Sequence, residues 1–238
     1  MKDLFGKAIL DFQTNNNPKN IITETSISEA DEMDVAYLFR SYNEMPKLEQ
    51  KALQLAKGKI MDVGCGAGSH SLYLQNDRNL EVFSIDISEN AIKACELRGL
   101  KNCRVQNLLD CNSDLHQNDK FATILILMNG TGIFGTLSET SKYLQKLKSL
   151  LSSNGQILID SSDIIYMFDE DDDGSKWIPS DGYYGELTFT ISYKNQTEKP
   201  FPWLYLDYNT LQNAAHANDL QCELVQEGEH FDYLARLF

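Results

Sequence analysis

Two glycine clusters contain the residues best suited to hold a cofactor. Gly64, Gly66 and Gly68 form a G-x-G-x-G pattern, and the stretch 130–135, "GTGIFG", forms a G-x-G-x-x-G pattern. Glycines at a turn that follows a strand permit positive φ angles and leave the backbone open to a ligand. Each cluster follows an apolar run, so the sequence offers two candidate cofactor loops.

A nearby carboxylate separates the two loops. The 130–135 loop matches the fingerprint that dinucleotide-binding folds place against a pyrophosphate. The first loop instead carries Asp62 two residues before Gly64. A carboxylate repels a pyrophosphate at short range but attracts an ammonium or a sulfonium group. The first loop therefore predicts a ligand that is partly cationic.

The segment that contains this loop resembles the first motif of the class I S-adenosylmethionine-dependent methyltransferases, an acidic residue followed by G-x-G-x-G. Asp86 ends the second predicted strand, 18 residues beyond Gly68, where that family holds both ribose hydroxyls. The resemblance covers roughly residues 58–160 and implies S-adenosylmethionine as the cofactor. The cofactor-site residues that it implies are Arg40, Asp62, Gly64, Cys65, Gly66, Gly68, Asp86, Ile87, Leu109, Asp110, Met128 and Asn129.

Within that resemblance each segment has its own expected contact. The glycine loop lies under the methionine and ribose portions, and the segment ending in Asp110 contacts the adenine. Met128 and Asn129 lie near the reacting methyl group. Arg40, in the segment before the sheet, meets the carboxylate of the cofactor.

The second glycine loop allows two interpretations. One is an NAD(P)-dependent oxidoreductase that uses the 130–135 loop, with Asp160 ending the next strand. Its weakness is the position of the loop in the sheet. The 130–135 loop follows the fourth predicted strand, whereas the loop after the first strand already fits a cofactor better. The other is that these glycines keep side chains away from the sulfonium and the acceptor. A cofactor-binding module without catalysis is a third hypothesis for the chain.

Methyl transfer from a sulfonium is an in-line displacement, so alignment and a dry pocket matter more than covalent help. A general base is needed only if the acceptor must first lose a proton. His70 and Asn129 are the candidate catalytic residues. The other candidates for lining the acceptor site are Asp163, Tyr184, Glu186 and Trp203.

The net charge of the chain and the motifs that it lacks restrict the chemical class of the methyl acceptor. The fourth predicted strand is followed by "MNGT", without the [DN]-P-P-[YFW] pattern of enzymes that methylate planar nitrogens, and the chain has no Pro-Cys nucleophile. A formal net charge of −14 without a block of basic residues argues against nucleic acid as a partner. We therefore expect a small-molecule acceptor, or a peptide. The aromatic residues of 183–205 favour an apolar or aromatic acceptor.

The remaining composition points to a cytoplasmic protein without a metal. No signal pattern or membrane-length apolar run is present, and the oligomeric state stays open. The five cysteines form no C-x-x-C pair, and His70, His116, His216 and His230 have no metal-binding spacing. The run "FDEDDDG" at 168–174 opens like a calcium loop, but Ser180 stands at the twelfth position and Pro179 interrupts the helix that should follow.

Alternation of strands and helices predicts the architecture. We expect an α/β, Rossmann-like fold with a mostly parallel seven-stranded sheet and helices on both faces. Residues 1–57 are predicted to form a helical N-terminal cap, and residues 58–238 the methyltransferase domain. Within it, 161–207 are expected to insert a β-hairpin after the fifth strand, as a lid over the acceptor site.

Overall fold

A computed structural model describes residues 2–112, 119–171, 173–178, 180 and 182–238. His116 and three positions of the 161–207 insertion, Pro179 among them, lie outside the described residues. The chain forms two sheets and six α-helices over the described part. The helices are α1 (Leu4–Gln13), α2 (Lys47–Leu55), α3 (Ser69–Asn76), α4 (Glu89–Leu97), α5 (Thr140–Leu150) and α6 (Tyr208–Ala217).

The main sheet has seven strands in the order β11-β12-β7-β6-β3-β4-β5. Its strands are β3 (Ile60–Val63), β4 (Val82–Asp86), β5 (Cys103–Val105), β6 (Phe121–Ile126), β7 (Leu151–Ser162), β11 (Cys222–Glu227) and β12 (Asp232–Leu237). β3 to β7 run parallel, and β12 is antiparallel to both β7 and β11. The predicted Rossmann-like sheet is confirmed.

The main sheet is apolar on both faces because helices cover both. Ile124 and Ile126 of β6 join one core cluster, which Leu144 of α5 and Leu211 of α6 also enter. Leu125, between the two isoleucines, belongs to a second cluster that α2 and α3 complete on the opposite face. Alternate residues of a strand point to opposite faces, so a run without polar residues is what a doubly covered strand requires.

The second sheet corrects the prediction for the N-terminal segment. Its path is β10-β8-β1-β2, with the short β9 paired to β8. The strands are β1 (Ile21–Thr25), β2 (Ser28–Met33), β8 (Glu186–Tyr193), β9 (Gln196–Thr197) and β10 (Phe201–Leu204). Residues 1–57 are thus not wholly helical, because they contain a hairpin that pairs with the inserted β8. β1 is short, with only Ile21 and Ile22 apolar, and β2 is mostly polar, which concealed both strands in the sequence.

The N-terminal helix reaches the edge where the parallel strands end. α1 crosses α4 at Gly6, where a Cβ atom would overlap the hydroxyl of Ser88. Asp3, just before α1, accepts a hydrogen bond of 2.7 Å from the amide of Asn90. α1 therefore packs beside the loop that follows β4 and fixes the N-terminal segment there.

No helix among the described residues has both the length and the apolar character needed to cross a membrane. The same residues contain no group of three or more His, Cys, Asp and Glu side chains placed to hold a metal ion.

Candidate active site

The first glycine loop adopts a conformation that other residues would resist. Gly64, Gly66 and Gly68 have φ angles of +71°, +53° and +78°. The N–H groups of Gly64 and Cys65 both donate to the carbonyl of Ile85, at 2.8 and 3.1 Å, which ties the loop to β4. A Cβ atom at Gly66 would meet nothing within 4 Å. The loop therefore leaves open space above Gly66, which is the clearance a bound cofactor needs.

Asp86 lies beside that open space. Its two carboxylate oxygens accept hydrogen bonds of 2.9 Å from the N–H groups of Gly66 and Ser88. Burial raises the pKa of the Asp86 carboxyl, and the two N–H donors counteract part of that rise. The next residue, Ile87, leaves 62% of its surface exposed. A carboxylate and an apolar surface thus occur side by side at the end of β4.

Asp62 is more deeply buried than Asp86. Its carboxylate accepts a 2.5 Å hydrogen bond from the hydroxyl of Ser71 in α3, and that hydroxyl lies 2.7 Å from the hydroxyl of Ser84. Burial also raises the pKa of Asp62, with the charge of His70 acting in the opposite direction. The side chain of Asp62 therefore joins β3 to α3 beneath the glycine loop.

The remaining predicted cofactor residues lie along the same edge. Leu109 and Asp110 belong to a 3₁₀ segment that follows β5, and Asp110 is exposed. The thiol of Cys65 is buried and faces the thiol of Cys95, with the sulfur atoms 4.0 Å apart. Only backbone atoms of Cys65 are therefore placed to meet a ligand in the loop.

The turn after β6 is held by a residue that sequence analysis did not assign to the site. Met128 and Asn129 have positive φ angles of 67° and 55°, unusual for residues with a side chain. The buried carboxylate of Asp160 accepts hydrogen bonds of 3.0 Å from the N–H groups of Met128 and Gly130. The hydroxyl of Ser162 donates to the amide oxygen of Asn129 at 2.8 Å. β7 thus sets the shape of this turn.

Burial raises the pKa of Asp160 to about 7, although its two N–H donors favour the charged form. The charge of Glu49 raises that pKa further, and that of His70 lowers it. Asp160 is therefore an acid whose charge changes near neutral pH at the end of the central strands.

A buried ion cluster joins Arg40 and His70 through Glu49. The guanidinium of Arg40 donates to one carboxylate oxygen of Glu49, and Nε2 of His70 lies 2.6 Å from the other. Burial alone would lower the pKa of His70, but the hydrogen bond and charge of Glu49 outweigh it and raise that pKa. Burial alone would raise the pKa of Glu49, but His70 and Arg40 lower it. Glu49 therefore favours the protonated form of His70, and the two basic side chains favour the ionised form of Glu49.

Comparisons with known proteins identify the family of the chain. A family profile described as a methyltransferase domain matches residues 55–229. A methyltransferase from Bacteroides fragilis, described as S-adenosylmethionine-dependent and solved with S-adenosyl-L-homocysteine, is 43% identical to the chain. The alignment covers 100% of this chain and 94% of that one, with a TM-score of 0.90.

The chain belongs to the S-adenosylmethionine-dependent methyltransferases. Two more distant relatives share the fold. CcbJ from Streptomyces caelestis is 15% identical over 82% of this chain and 93% of its own, with a TM-score of 0.60. DesVI from Streptomyces venezuelae is 14% identical over 87% and 99%, with a TM-score of 0.55. No protein of curated function matches the sequence.

Family membership confirms the expectation of a methyltransferase enzyme that uses S-adenosylmethionine. The alternative of an NAD(P)-dependent oxidoreductase is not favoured. Sequence reasoning left Glu49 and Asp160 out of the methyltransferase site, and it considered Asp160 only for the NAD(P)-dependent alternative. Glu49 lies on the same face of α2 as Leu53, four residues later. An acidic residue on an otherwise apolar helix face was the sequence signal that could have identified it. Asp160 directly follows the apolar run Ile157–Ile159 in β7, two residues before that strand ends at the cofactor edge, which was a second signal.

The second glycine loop of this methyltransferase makes room for protein side chains. A Cβ atom at Gly132 would overlap the indole ring of Trp203 in β10. A Cβ atom at Gly130 would lie 2.6 Å from Cγ2 of Ile126. Thr131, between them, places its hydroxyl 2.6 Å from that of Ser161 and donates to the carbonyl of Leu204. These glycines were predicted to leave space for the sulfonium and the acceptor. At Gly132 that space is filled by Trp203 of the second sheet.

Replacing Gly132 with alanine is expected to destabilise the protein by about 1–3 kcal/mol, because the added methyl group overpacks the contact with Trp203. Urea denaturation measures the effect. In a Trp203→Ala background the same glycine replacement should cost much less, since its steric partner is gone. An equal loss in both backgrounds would contradict this explanation of the glycine.

Proposed function

We propose that the enzyme transfers the methyl group of S-adenosylmethionine to a small molecule bound at the carboxyl ends of the parallel strands. The observation that carries this proposal is the Asp86 carboxylate beside the open space over Gly66. Ligands of open α/β sheets bind outside the carboxyl ends of the strands. Asp86, Asn129 and the glycine loop all lie at that edge.

In this proposal each side chain has a distinct task in binding the cofactor. Asp86 accepts the ribose hydroxyls with the lone pairs that its two N–H donors leave free. Ile87 packs its exposed surface on the adenine, with Leu109 and Asp110 next to it. Arg40 meets the carboxylate of the methionine portion, held in place by its contacts with Glu49 and with the ring of Tyr37, 3.7 Å from its guanidinium carbon.

The bound cofactor supplies an electrophilic methyl group on a positively charged sulfur. The chain supplies alignment, which an in-line displacement needs most. We assign Asn129 to the methyl-transfer position because Asp160 and Ser162 fix the turn that presents it. We assign His70 a positioning role, because Glu49 already binds its Nε2 atom.

We further propose that residues 161–207 and the N-terminal segment together cover the acceptor. Trp203 of β10 rests on Gly132, directly after the proposed methyl-transfer turn. Tyr184 donates to Asp163 at 2.8 Å, which joins the insertion to the end of β7. A cover attached at both points excludes water from the reacting groups.

We also place the enzyme in the cytoplasm. All five of its cysteines are free thiols, Cys65 and Cys95 included, and free thiols persist in reducing compartments.

Calorimetric titration with S-adenosylhomocysteine and with NAD(H) tests the cofactor assignment. We expect binding of the former only, and binding of NAD(H) alone would overturn the proposal. Transfer of a labelled methyl group into the metabolite fraction of a cell extract tests the acceptor class. Label that enters only the peptide fraction would point to a peptide acceptor, and no transfer into any fraction would favour a module without catalysis.

Replacing Asp86 with alanine is expected to weaken S-adenosylhomocysteine binding by about 1–3 kcal/mol, roughly 5- to 150-fold, through loss of hydrogen bonds to the ribose. Calorimetry on the folded variant measures the change. Asp31→Ala is the matched control, because Asp31 is exposed in β2, at the end of the second sheet. Equal affinity in wild type and Asp86→Ala would remove Asp86 from the site.

A further inference from the structure

Two exposed aromatic rings stack on each other at the cofactor edge of the main sheet. The rings of Tyr166 and Phe231 have centroids 4.9 Å apart and an interplanar angle of 16°. Tyr166 is 48% exposed and Phe231 is 61% exposed. Neither ring belongs to a core cluster, so burial in the free protein does not explain the pair.

The backbone holds Phe231 in a conformation that a residue with a Cβ atom resists. Its φ angle is +59°. Hydrogen bonds impose this geometry: the carbonyl of Phe231 accepts from the N–H of Asp163 at 2.9 Å, and the carboxylate of Asp232 accepts from the N–H of His230 at 3.0 Å. Strain held in place by surrounding contacts is a feature of binding sites. The ring is therefore presented by a fixed turn.

Tyr166 is fixed from the other side. It lies in the 3₁₀ segment Ile164–Met167, whose first turn Asp163 caps by accepting from the N–H of Ile165 at 2.9 Å. The carboxylate of Asp163 also accepts from the hydroxyl of Tyr184. Both rings are thus anchored to the end of β7 through a single residue.

The aromatic pair lies close to the turn to which we assign methyl transfer. Asp232, next to Phe231, pairs with Ser162, and the hydroxyl of Ser162 donates to Asn129 at 2.8 Å. β12 and β6 are separated only by β7, so their axes are about 10 Å apart. A molecule that stacks on the rings and reaches Asn129 has the size of a small metabolite.

Acidic residues flank both rings in the sequence. Glu227 ends β11, Glu229 lies in the turn that presents Phe231, and Asp232 begins β12. His230 is the one basic residue of 227–232. Asp169 and Glu170 follow Tyr166 in the chain, and Glu170 pairs with Lys176 at 2.6 Å. This charge disfavours an anionic ring and favours a neutral or cationic one, which the aromatic faces also attract.

We propose that Tyr166 and Phe231 form the surface on which a planar, neutral or cationic ring of the methyl acceptor stacks. The proposal rests on the function proposed above and names the class of its substrate. A second copy of the chain is the competing occupant. The pair and its neighbour Met167 offer too little area for it, since a stable interface buries about 800 Å² per partner.

The test uses protein saturated with S-adenosylhomocysteine and three small probes, measured by calorimetry. Tryptamine has a planar ring and a positive charge, 2-cyclohexylethylamine has the charge without the planar ring, and indole-3-acetate has the ring with a negative charge. We expect tryptamine to bind most tightly. Phe231→Gly, which suits the positive φ angle, and Tyr166→Ala should each weaken tryptamine binding about tenfold.

Phe238→Ala is the matched control, because Phe238 is 43% exposed and follows the opposite end of β12. It should leave tryptamine binding unchanged. Unchanged tryptamine binding in Phe231→Gly, or tightest binding of indole-3-acetate, would overturn the proposal. Loss of a dimer in analytical ultracentrifugation, without a change in probe binding, would assign the rings to a second copy. Failure of wild type to bind S-adenosylhomocysteine would instead count against the proposed function.

Discussion

Replacing Glu49 with alanine is expected to lower the free energy of unfolding by about 3–5 kcal/mol. The carboxylate is the shared partner of Arg40 and His70, and all three side chains are at most 10% exposed. Removing one member of a buried ion pair leaves the other charge without compensation in a poorly polarisable surrounding. Here one substitution leaves two such groups, so the effect should lie at the upper end for single substitutions.

Urea denaturation at neutral pH measures this loss. The exposed pair of Glu223 and Arg236, 2.7 Å apart, provides the control, because Glu223→Ala should cost less than about 1 kcal/mol. Similar losses in the two variants would show that burial does not govern the Glu49 cluster.

The histidine of the cluster adds a spectroscopic test. The pKa of His70 is raised in the folded protein, so its stabilising contribution is present below pH 6.5 and is lost as pH rises through the folded value. Without Glu49 the opposing effect of burial remains, and the pKa of His70 should fall. NMR titration of the imidazole in wild type and in Glu49→Gln follows this change. An unchanged titration would mean that Glu49 does not set the charge of His70.

Replacing Asp160 with asparagine should remove a pH dependence of up to about 4 kcal/mol. Burial raises the pKa of Asp160 from 3.8 to about 7, and a pKa difference of one between the folded and unfolded states corresponds to about 1.4 kcal/mol. Because the folded pKa is the higher one, the associated stability is fully present below pH 3.8 and is lost as pH rises through 7. Asparagine cannot ionise. Its amide accepts one of the two N–H bonds, at a cost that does not vary with pH.

Unfolding free energies of both proteins across pH 4 to 8 test this prediction. Relative to Asp160→Asn, wild type should lose stability as pH rises. Asp11 supplies a control of opposite sign, because hydrogen bonds from Lys194, Asn16 and Tyr193 outweigh its burial and lower its pKa. Asp11→Asn should therefore be most destabilising at neutral pH and less so in acid. Parallel curves for wild type and Asp160→Asn would refute the prediction.

The main sheet and its glycine loop were predictable because local sequence encodes them. Apolar runs with alternate residues buried on two faces mark Ile60–Val63 and Phe121–Ile126, and turn residues follow each run. Asp86 was predictable for the same reason, since it ends such a run. The second sheet was not, because Ile22 and Ser192 pair although all five parallel strands lie between them in sequence, and β2 is mostly polar.

The candidate site likewise contains features that local sequence encodes and features that depend on tertiary contacts. Backbone-based features such as Gly66 and the Met128 turn follow from strand ends, which sequence patterns reveal. The Arg40, Glu49 and His70 cluster requires three separate segments to meet, and no local pattern joins them. The purpose of Gly132 likewise depends on Trp203, which lies far away in sequence. Contacts of this kind come from tertiary packing alone.

The pairing of β1 with β8 also fixes an order of events during synthesis. The parallel strands of the main sheet are complete once Ser162 has been made, whereas β1 lacks its partner until residues 186–193 follow. At about 5–20 residues per second, the N-terminal hairpin spends roughly 10–30 s with its β1 edge unpaired. The parallel strands that carry the cofactor site are therefore synthesised before the second sheet can be completed. We expect the nascent chain to meet chaperones through that edge, since an open strand edge pairs readily with other chains.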